Sequence, residues 1–429
     1  MKFSELKRQD LYAGPKKQNG IVKFIMTTAT KIVYGGDKVK YIYERMDHPD
    51  FEEPHIVLCN HMNRLDFLFL TSELRRKRKF NYVISIDGVM DADVTIFLQE
   101  FIMRNYGAII KRKFTNDLRL VKNIKKSVKE LKQDMIMYPE ARYTLEGRLS
   151  LLPESLGKMI KLFGIPVETC TMHGNYIRTP QWHKRKIKDK FPLIANIRGL
   201  LTKEEIAALS IEEINTKIKE ALYFNEYDFV KEQGIKITDE RRAEGLHRIL
   251  YQCPCCEKEF SMASGGTSIW CKECNTKWNY NEDGTLSCIN KEDSFTSVTD
   301  WFDWERANVI KQIEEGTYHF IDDVNVYGLP NTKKWIKLGR GKLIHDINEG
   351  FHLVYNDGEK DVDVIRKPIE MNSCHIEYDY RKCGDCLDIS TDNDTFFVNP
   401  VNFDNVLTKF HFATEEIYKY HKKLIDNKK

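Results

Sequence analysis

Ile56-Val57-Leu58-Cys59-Asn60-His61-Met62-Asn63-Arg64-Leu65-Asp66 joins a short, unbroken apolar run to a polar turn and the start of a helical pattern. A four-residue apolar run bounded in this way reads as a buried strand. Outward from it, Asn81–Ile86, Ala108–Ile110, Met135–Tyr138 and Ile165–Thr171 read as further buried strands. Between them, Val94–Met103, Leu118–Leu131 and Leu156–Phe163 have helical spacing, the last stopped by Gly164 before Pro166. Strands alternating with helices from Pro54 to about Met172 specify an α/β domain, here a mixed, largely parallel sheet flanked by helices.

The chain has 429 residues, enough for two or three domains. With 41% hydrophobic and 31% charged residues it is neither a disordered tail nor a polytopic membrane protein. The net charge of +3 speaks against a dedicated nucleic-acid coat protein, but it conceals a polarity. Residues 1–200 hold 37 basic and 22 acidic side chains; residues 201–429 hold 30 and 42. A basic half of this kind suits an anionic partner: phosphate, nucleic acid or an anionic bilayer. No stretch is long and apolar enough to span a bilayer, and the start, MKFSELKRQD, has no secretory signal pattern. Eleven cysteines, seven of them in CxxC-like or CC groupings, read as reduced thiols plus a metal site.

His61 and Asp66 are five residues apart, which on a straight helix would place them about 140° from each other. They meet only if His61 lies in the turn before a helix and Asp66 in its first turn. A carboxylate on Nδ1 then fixes the imidazole tautomer and leaves Nε2 as a general base. Asn60 and the nearby backbone are candidates for oxyanion support.

Three further blocks follow in order: Gly107-Ala108-Ile109-Ile110-Lys111-Arg112-Lys113, Tyr138-Pro139-Glu140-Ala141-Arg142 and Gly164-Ile165-Pro166-Val167. Together with Asn60–Asp66 they resemble the four blocks of the glycerolipid acyltransferase family, whose best-known members are 1-acylglycerol-3-phosphate acyltransferases. The resemblance covers roughly residues 20–200. It departs from the family pattern at Asn63, where a serine is usual, and at Ala141, where a glycine is usual. One residue fewer precedes Arg142, and the Gly107–Arg112 spacing is one residue short, so Lys113 is an equivalent candidate cation.

The resemblance implies acyl transfer from an acyl thioester, acyl-CoA or acyl carrier protein, to the hydroxyl of a lysophospholipid. His61 would be the base, oriented by Asp66. Arg112 or Lys113, with Arg142, would hold the acceptor phosphate, and Lys111 would support them. Glu140 would accept from a glycerol hydroxyl or orient Arg142. The alternative is a catalytically weak acyltransferase-like scaffold or binding protein acting through a zinc ribbon and its acidic C-terminal half.

From Gly20 to Tyr34, Ile21, Val22, Ile25, Met26, Ala29, Ile32 and Val33 form an apolar stripe on a helix, which suits either core packing or an interfacial position on lipid. The basic runs Arg75-Arg76-Lys77-Arg78-Lys79 and Lys184, Arg185, Lys186, Lys188, Lys190 add to the lipid reading. The expected location is cytoplasmic, peripherally associated with the cytoplasmic face of a membrane.

Cys253 and Cys256, then fourteen residues, then Cys271 and Cys274 have the spacing of a structural zinc ribbon, with Cys255 spare. Four thiolates leave no open position for catalysis. Residues 251–300 carry four basic and eight acidic side chains, so no nucleic-acid partner is expected. Cys383 and Cys386 read as strand-borne thiols. The expected organisation is an acyltransferase domain over 1–245, the ribbon over 246–290, a helical linker over 291–330 and a β-rich module over 331–429. Seven short strands (Trp335–Leu338, Lys342–His345, Phe351–Tyr355, Val362–Arg366, His375–Tyr378, Leu387–Ser390, Thr395–Val398) and a closing helix, Glu415–Ile425, suggest by analogy a pleckstrin-homology-like module.

Overall fold

The structure is a computed structural model. It describes residues 3–6, 8, 13–34, 39–63, 65–73, 78–89, 96–115, 118–183, 187, 189–291, 294–330, 335–358, 360–381 and 383–427. The cations 75–77, 184–186 and 188 of the two basic runs lie outside the described residues.

The first sheet has seven strands: β1 (Val39–Glu44), β2 (Ile56–Cys59), β3 (Phe80–Ser85), β4 (Ala108–Lys111), β5 (Asp134–Met137), β6 (Val167–His173) and β7 (Leu193–Leu201). Their order is β1-β7-β6-β2-β5-β3-β4. All neighbouring pairs are parallel except β6–β7, so the sheet is mixed. The five strands expected from Ile56 onward are present within two residues of their expected bounds. β1 and β7 were not expected. β7 alternates, with Leu193, Ala195 and Ile197 facing the core, and this half-buried pattern follows the basic run that dominates the local composition.

Helices α1 (Gly20–Tyr34), α2 (Leu65–Glu73), α3 (Ile86–Val89), α4 (Ile96–Tyr106), α5 (Leu118–Lys125) and α6 (Ser155–Phe163) connect or flank these strands. α5 continues into a π-helical turn over Lys126–Glu130, which together fill the expected Leu118–Leu131 helix. Gly164 at φ 56° ends α6, in agreement with the stop signal. α7 (Asn175–Arg178), α8 (Lys203–Ala208), α9 (Ile211–Leu222) and α10 (Glu226–Glu232) complete this part, α8 and α9 each opening on a capping box.

The second sheet, β8 (Met262–Gly265), β9 (Ser268–Cys271), β10 (Lys277–Tyr280) and β11 (Leu286–Cys288), is a small antiparallel ribbon. α11 (Val298–Glu314) follows it, and Trp301 of α11 packs on Trp278 of β10 at 4.8 Å between ring centroids.

The third sheet has strands β12 (His319–Gly328), β13 (Ile336–Asp346), β14 (Gly350–Asn356), β15 (Asp361–Arg366), β16 (His375–Tyr380), β17 (Gly384–Ser390) and β18 (Thr395–Pro400), and α12 (Leu407–Asp426) closes the chain. It is an antiparallel meander whose first strand pairs with its last, in the order β15-β14-β13-β12-β18-β17-β16. Seven strands were expected and seven are present, but two errors cancel. β12 occupies the end of the stretch expected to be a helical linker, and the two strands expected over Trp335–Leu338 and Lys342–His345 are one strand, β13. Gly339 and Gly341 had the look of a break, yet both lie within the paired strand. α12 also starts eight residues earlier than expected, because Phe410, Phe412 and Ala413 are all buried and leave no amphipathic period to read.

Candidate active site

Strands β2, β5, β3, β4 and β6 run parallel, so the loops after them gather at one edge of the sheet. That carboxyl edge is the usual place for a site in an open α/β sheet. His61 follows β2, Asp87 follows β3, Arg112 and Lys113 follow β4, Glu140 and Arg142 follow β5, and Asn175 follows β6.

The turn after β2 brings His61 and Asp66 together as the five-residue spacing requires. His61 Nδ1 lies 3.2 Å from Asp66 Oδ2. The same oxygen accepts the backbone N–H of Met62 at 2.6 Å and of Asn63 at 2.9 Å, while Asp66 Oδ1 accepts Asn175 Nδ2 at 2.7 Å. Asp66 is buried in the first turn of α2 and is both loop organiser and imidazole partner. Asn63, at the position where serine is usual, accepts Leu65 N–H at 2.9 Å and so starts the helix.

The His61 ring is stacked on Tyr138 at 4.1 Å and meets Tyr143 edge-on at 4.4 Å between centroids. Burial pushes the His61 imidazole below its ordinary value; Asp66 opposes this and the charge of Lys113 adds to it. A neutral ring tethered at Nδ1 has Nε2 available as a proton acceptor.

Glu140 is buried, and its two oxygens accept different backbone amides, His61 N–H at 2.7 Å and Ser150 N–H at 2.8 Å. Burial raises its carboxyl to about 7 against these hydrogen bonds. Its place in the structure is to fix the loop that carries His61. Ala141, beside it, sits at φ 56°, the left-handed region that glycine occupies without strain. Gly107 has φ 117°, and a Cβ there would lie 2.4 Å from Phe80 O, so only glycine fits the entry to β4. Asn60 pairs with the backbone of Met172 through both amide atoms, at 2.9 and 2.8 Å. Its amide joins β2 to β6 rather than facing a substrate.

The three cations assigned to phosphate, Arg112, Lys113 and Arg142, are all buried at this edge. Each contacts the third sheet or α12. Arg112 donates to Thr395 Oγ1 at 2.9 Å and to Asn393 O at 2.6 Å. Lys113 Nζ lies 2.6 Å from Asp87 Oδ2, 3.0 Å from Asp388 Oδ2 and 3.9 Å from Glu377 Oε1. Arg142 Nη2 lies 3.1 Å from Glu415 Oε1, which also accepts Ser373 Oγ at 2.8 Å. Sequence reasoning did not find Tyr143, Asn175, His375, Asp388 or Glu415. Asn175 is 109 residues from Asp66 and Glu415 is 273 from Arg142, distances over which no spacing signal exists.

The second constellation lies in the ribbon. Cys253, Cys256, Cys271 and Cys274 place one sulfur each within 4.8 Å of one another. Cys253–Cys274 and Cys256–Cys271 sulfurs are 3.6 and 3.7 Å apart. A tetrahedral ion with Zn–S bonds of about 2.3 Å separates its sulfurs by about 3.8 Å. The donor set therefore fits a closed structural site. Backbone N–H groups of Cys255 and Glu273 point at Cys253 and Cys271 sulfurs at 3.4 Å, as thiolate ligands require. Cys386 is buried in β17, whereas Cys374 and Cys383, the latter expected on a strand, are buried in the loops that enter β16 and β17.

Residues 33–173 match the family model described as Acyltransferase. No curated protein matches the chain. Among solved structures, the chain is similar to the 1-acyl-sn-glycerophosphate acyltransferase from Thermotoga maritima. That likeness has 13% sequence identity, covers 47% of this chain and 76% of the other, and has a TM-score of 0.36. The matched segment contains β1 to β6, the His61–Asp66 pair and the buried cations, so the similarity to the acyltransferase family model covers this part of the chain.

Proposed function

We propose that the protein transfers a fatty acyl group from an acyl thioester, acyl-CoA or acyl carrier protein, to a hydroxyl of a lysophospholipid-type acceptor. The observation that carries this reading is the His61–Asp66 pair, with Nδ1 tethered at 3.2 Å and the ring held below its ordinary pKa. His61 Nε2 takes the acceptor hydroxyl proton as the oxygen attacks the thioester carbonyl. The C–O bond forms, the C–S bond breaks, and the imidazolium returns its proton to the leaving thiolate. Asp66 stabilises the imidazolium, and the face of Tyr138 stacked on the ring favours the same charge. No acyl-enzyme is needed, since the donor is already activated.

The four ribbon cysteines are proposed to hold a structural zinc ion. The third sheet, with its seven-strand meander and closing helix, supports the analogy to a pleckstrin-homology-like module. Among the described residues no helix is long and apolar enough to cross a membrane. Ile21, Phe24 and Ile25 of α1 are 73%, 59% and 56% exposed, while Lys23 and Thr27 turn inward. An apolar outward face supports peripheral attachment to the cytoplasmic face of an anionic membrane. The scaffold reading is favoured by one observation: Arg112, Lys113 and Arg142 are already engaged by the chain itself.

Labelled acyl-CoA and a panel of lysolipids separate the two. Wild-type turnover that falls by about 10²–10⁴ in His61→Ala supports the enzyme. Equal turnover in both removes His61 as base, and no turnover with any acceptor supports the scaffold.

A further inference from the structure

The cations at the carboxyl edge are not open to solvent but walled by the C-terminal part of the chain. Around Lys113 the balance is acidic: Asp87, Asp388 and Glu377 surround a single ammonium. His375 adds no charge there, since burial pushes its imidazole down to about 3, helped by Lys113. One oxygen of Asp388 is buried without a hydrogen-bond partner among the described residues, so this carboxylate is in excess over its donors. Asp87, His375 and Asp388 could group around a metal ion, but the Lys113 ammonium already lies between the two carboxylates. The wall is also adjacent to the chemistry. Tyr143 meets His61 edge-on at 4.4 Å and His375 edge-on at 5.8 Å, so one ring separates the proposed base from β16.

This wall is fixed. One continuous apolar core runs from the first sheet through the ribbon into the third sheet and α12. Buried polar contacts bind the parts together, among them Thr408 Oγ1 to Arg248 O at 2.7 Å and Arg142 to Glu415. A phosphomonoester dianion could reach Lys113 only by displacing Asp388, or by lying beside it with its charge opposed, and could reach Arg142 only by displacing Glu415, which Arg306 also holds at 2.8 Å.

We propose that the third sheet and α12 form part of the acceptor site, and that Asp388 and Glu377, crowded on Lys113, make it reject a phosphomonoester in favour of an acceptor whose polar end has no net charge. This rests on the acyl-transfer reading above. The class includes uncharged and zwitterionic head groups, both of which bring a hydroxyl to His61 without adding net negative charge beside Asp388.

The test uses the full chain in neutral detergent micelles with three acceptors of one acyl chain: monoacylglycerol, lysophosphatidylcholine and lysophosphatidic acid. With acyl-CoA as donor, at least one net-neutral acceptor is expected to exceed lysophosphatidic acid by ~10-fold or more in kcat/KM. Equal or better use of lysophosphatidic acid overturns the proposal. Equilibrium binding of the same three lipids to His61→Ala protein gives a second readout that needs no turnover. A net-neutral lipid is expected to bind more tightly, and tighter or equal binding of lysophosphatidic acid, or no binding of any, overturns it. Preserved binding order without wild-type turnover would remove the acyl-transfer reading alone. Turnover that prefers the phosphomonoester would remove this one alone. Asp388→Asn, where it folds, is expected to narrow the preference; an unchanged ratio in a folded variant counts against Asp388.

Discussion

At the scale of the residue, the loop after β2 is over-determined. Asp66 receives two backbone amides, an asparagine amide and the His61 ring, and Glu140 ties the His61 backbone to Ser150. Such a base is pre-positioned, and its depressed pKa sets the acid limb of its pH profile. Because His61 acts in its neutral form, turnover is expected to rise with pH through a midpoint below 6.5 and then level off. Asp66→Asn removes the charge that opposes the shift, so the midpoint falls further while kcat drops by ~10²–10⁴. A pH–rate profile of both proteins checks this, and an unshifted midpoint would sever Asp66 from the ring. Ala141 makes a separate prediction. At φ 56° a non-glycine residue carries a strain of ~1–2 kcal/mol, partly offset by the lower unfolded-state entropy of alanine. Ala141→Gly is therefore expected to stabilise the protein by ~0.5–1 kcal/mol in denaturant titration.

At the scale of the element, the strands and helices between Ile56 and His173 are legible because each carries its own local signal. The four-residue apolar run of β2 ends in a turn, and Gly164 terminates a helix by its left-handed conformation. β1, β7 and β12 lack that clarity, since β1 has no fully buried residue and β7 and β12 alternate buried positions with half-buried or exposed ones. The stripe on α1 was read correctly as helical, but its direction was open. Burial follows Lys23 and Thr27, with Lys23 Nζ donating to Arg78 O, and Ile21, Phe24 and Ile25 are left outward. Burial of those three side chains in an interface is worth ~1 kcal/mol or more each. Phe24→Asp is expected to weaken binding to anionic vesicles by about tenfold or more in a co-sedimentation assay without loss of folding. Equal sedimentation of variant and wild type would separate α1 from any lipid surface.

At the scale of the whole molecule, the charge polarity of the sequence acquires a second meaning. The basic half was expected to seek an external anion. In the fold, Arg8 pairs with Asp394, Lys113 with Asp388, Arg142 with Glu415 and Arg148 with Asp303, so part of the acidic half supplies that anion internally. The ribbon is equally integrated, since Trp278 and Trp301 are fully buried in the shared core and Trp301 Nε1 donates to Gln252 O at 2.9 Å. Removal of a bound zinc ion is then expected to destabilise the entire chain. Chelation under reducing conditions should lower Tm by roughly 3 °C as one transition, for a loss of ~3 kcal/mol. Calorimetry checks it; a separate low-temperature transition would mark the ribbon as independent.

The sequence by itself determined the strand–turn–helix at His61, the meeting of His61 with Asp66, the placing of the cations after strand ends and the four-cysteine cluster. These depend on spacings of a few residues, or on two pairs of cysteines, where backbone geometry leaves little choice. What only the tertiary structure decided is the environment of the cations. Lys113 and Asp388 are 275 residues apart, and Arg142 and Glu415 are 273 apart. No periodicity or motif connects positions so distant; they meet because one hydrophobic core packs the third sheet and α12 over the carboxyl edge of the first.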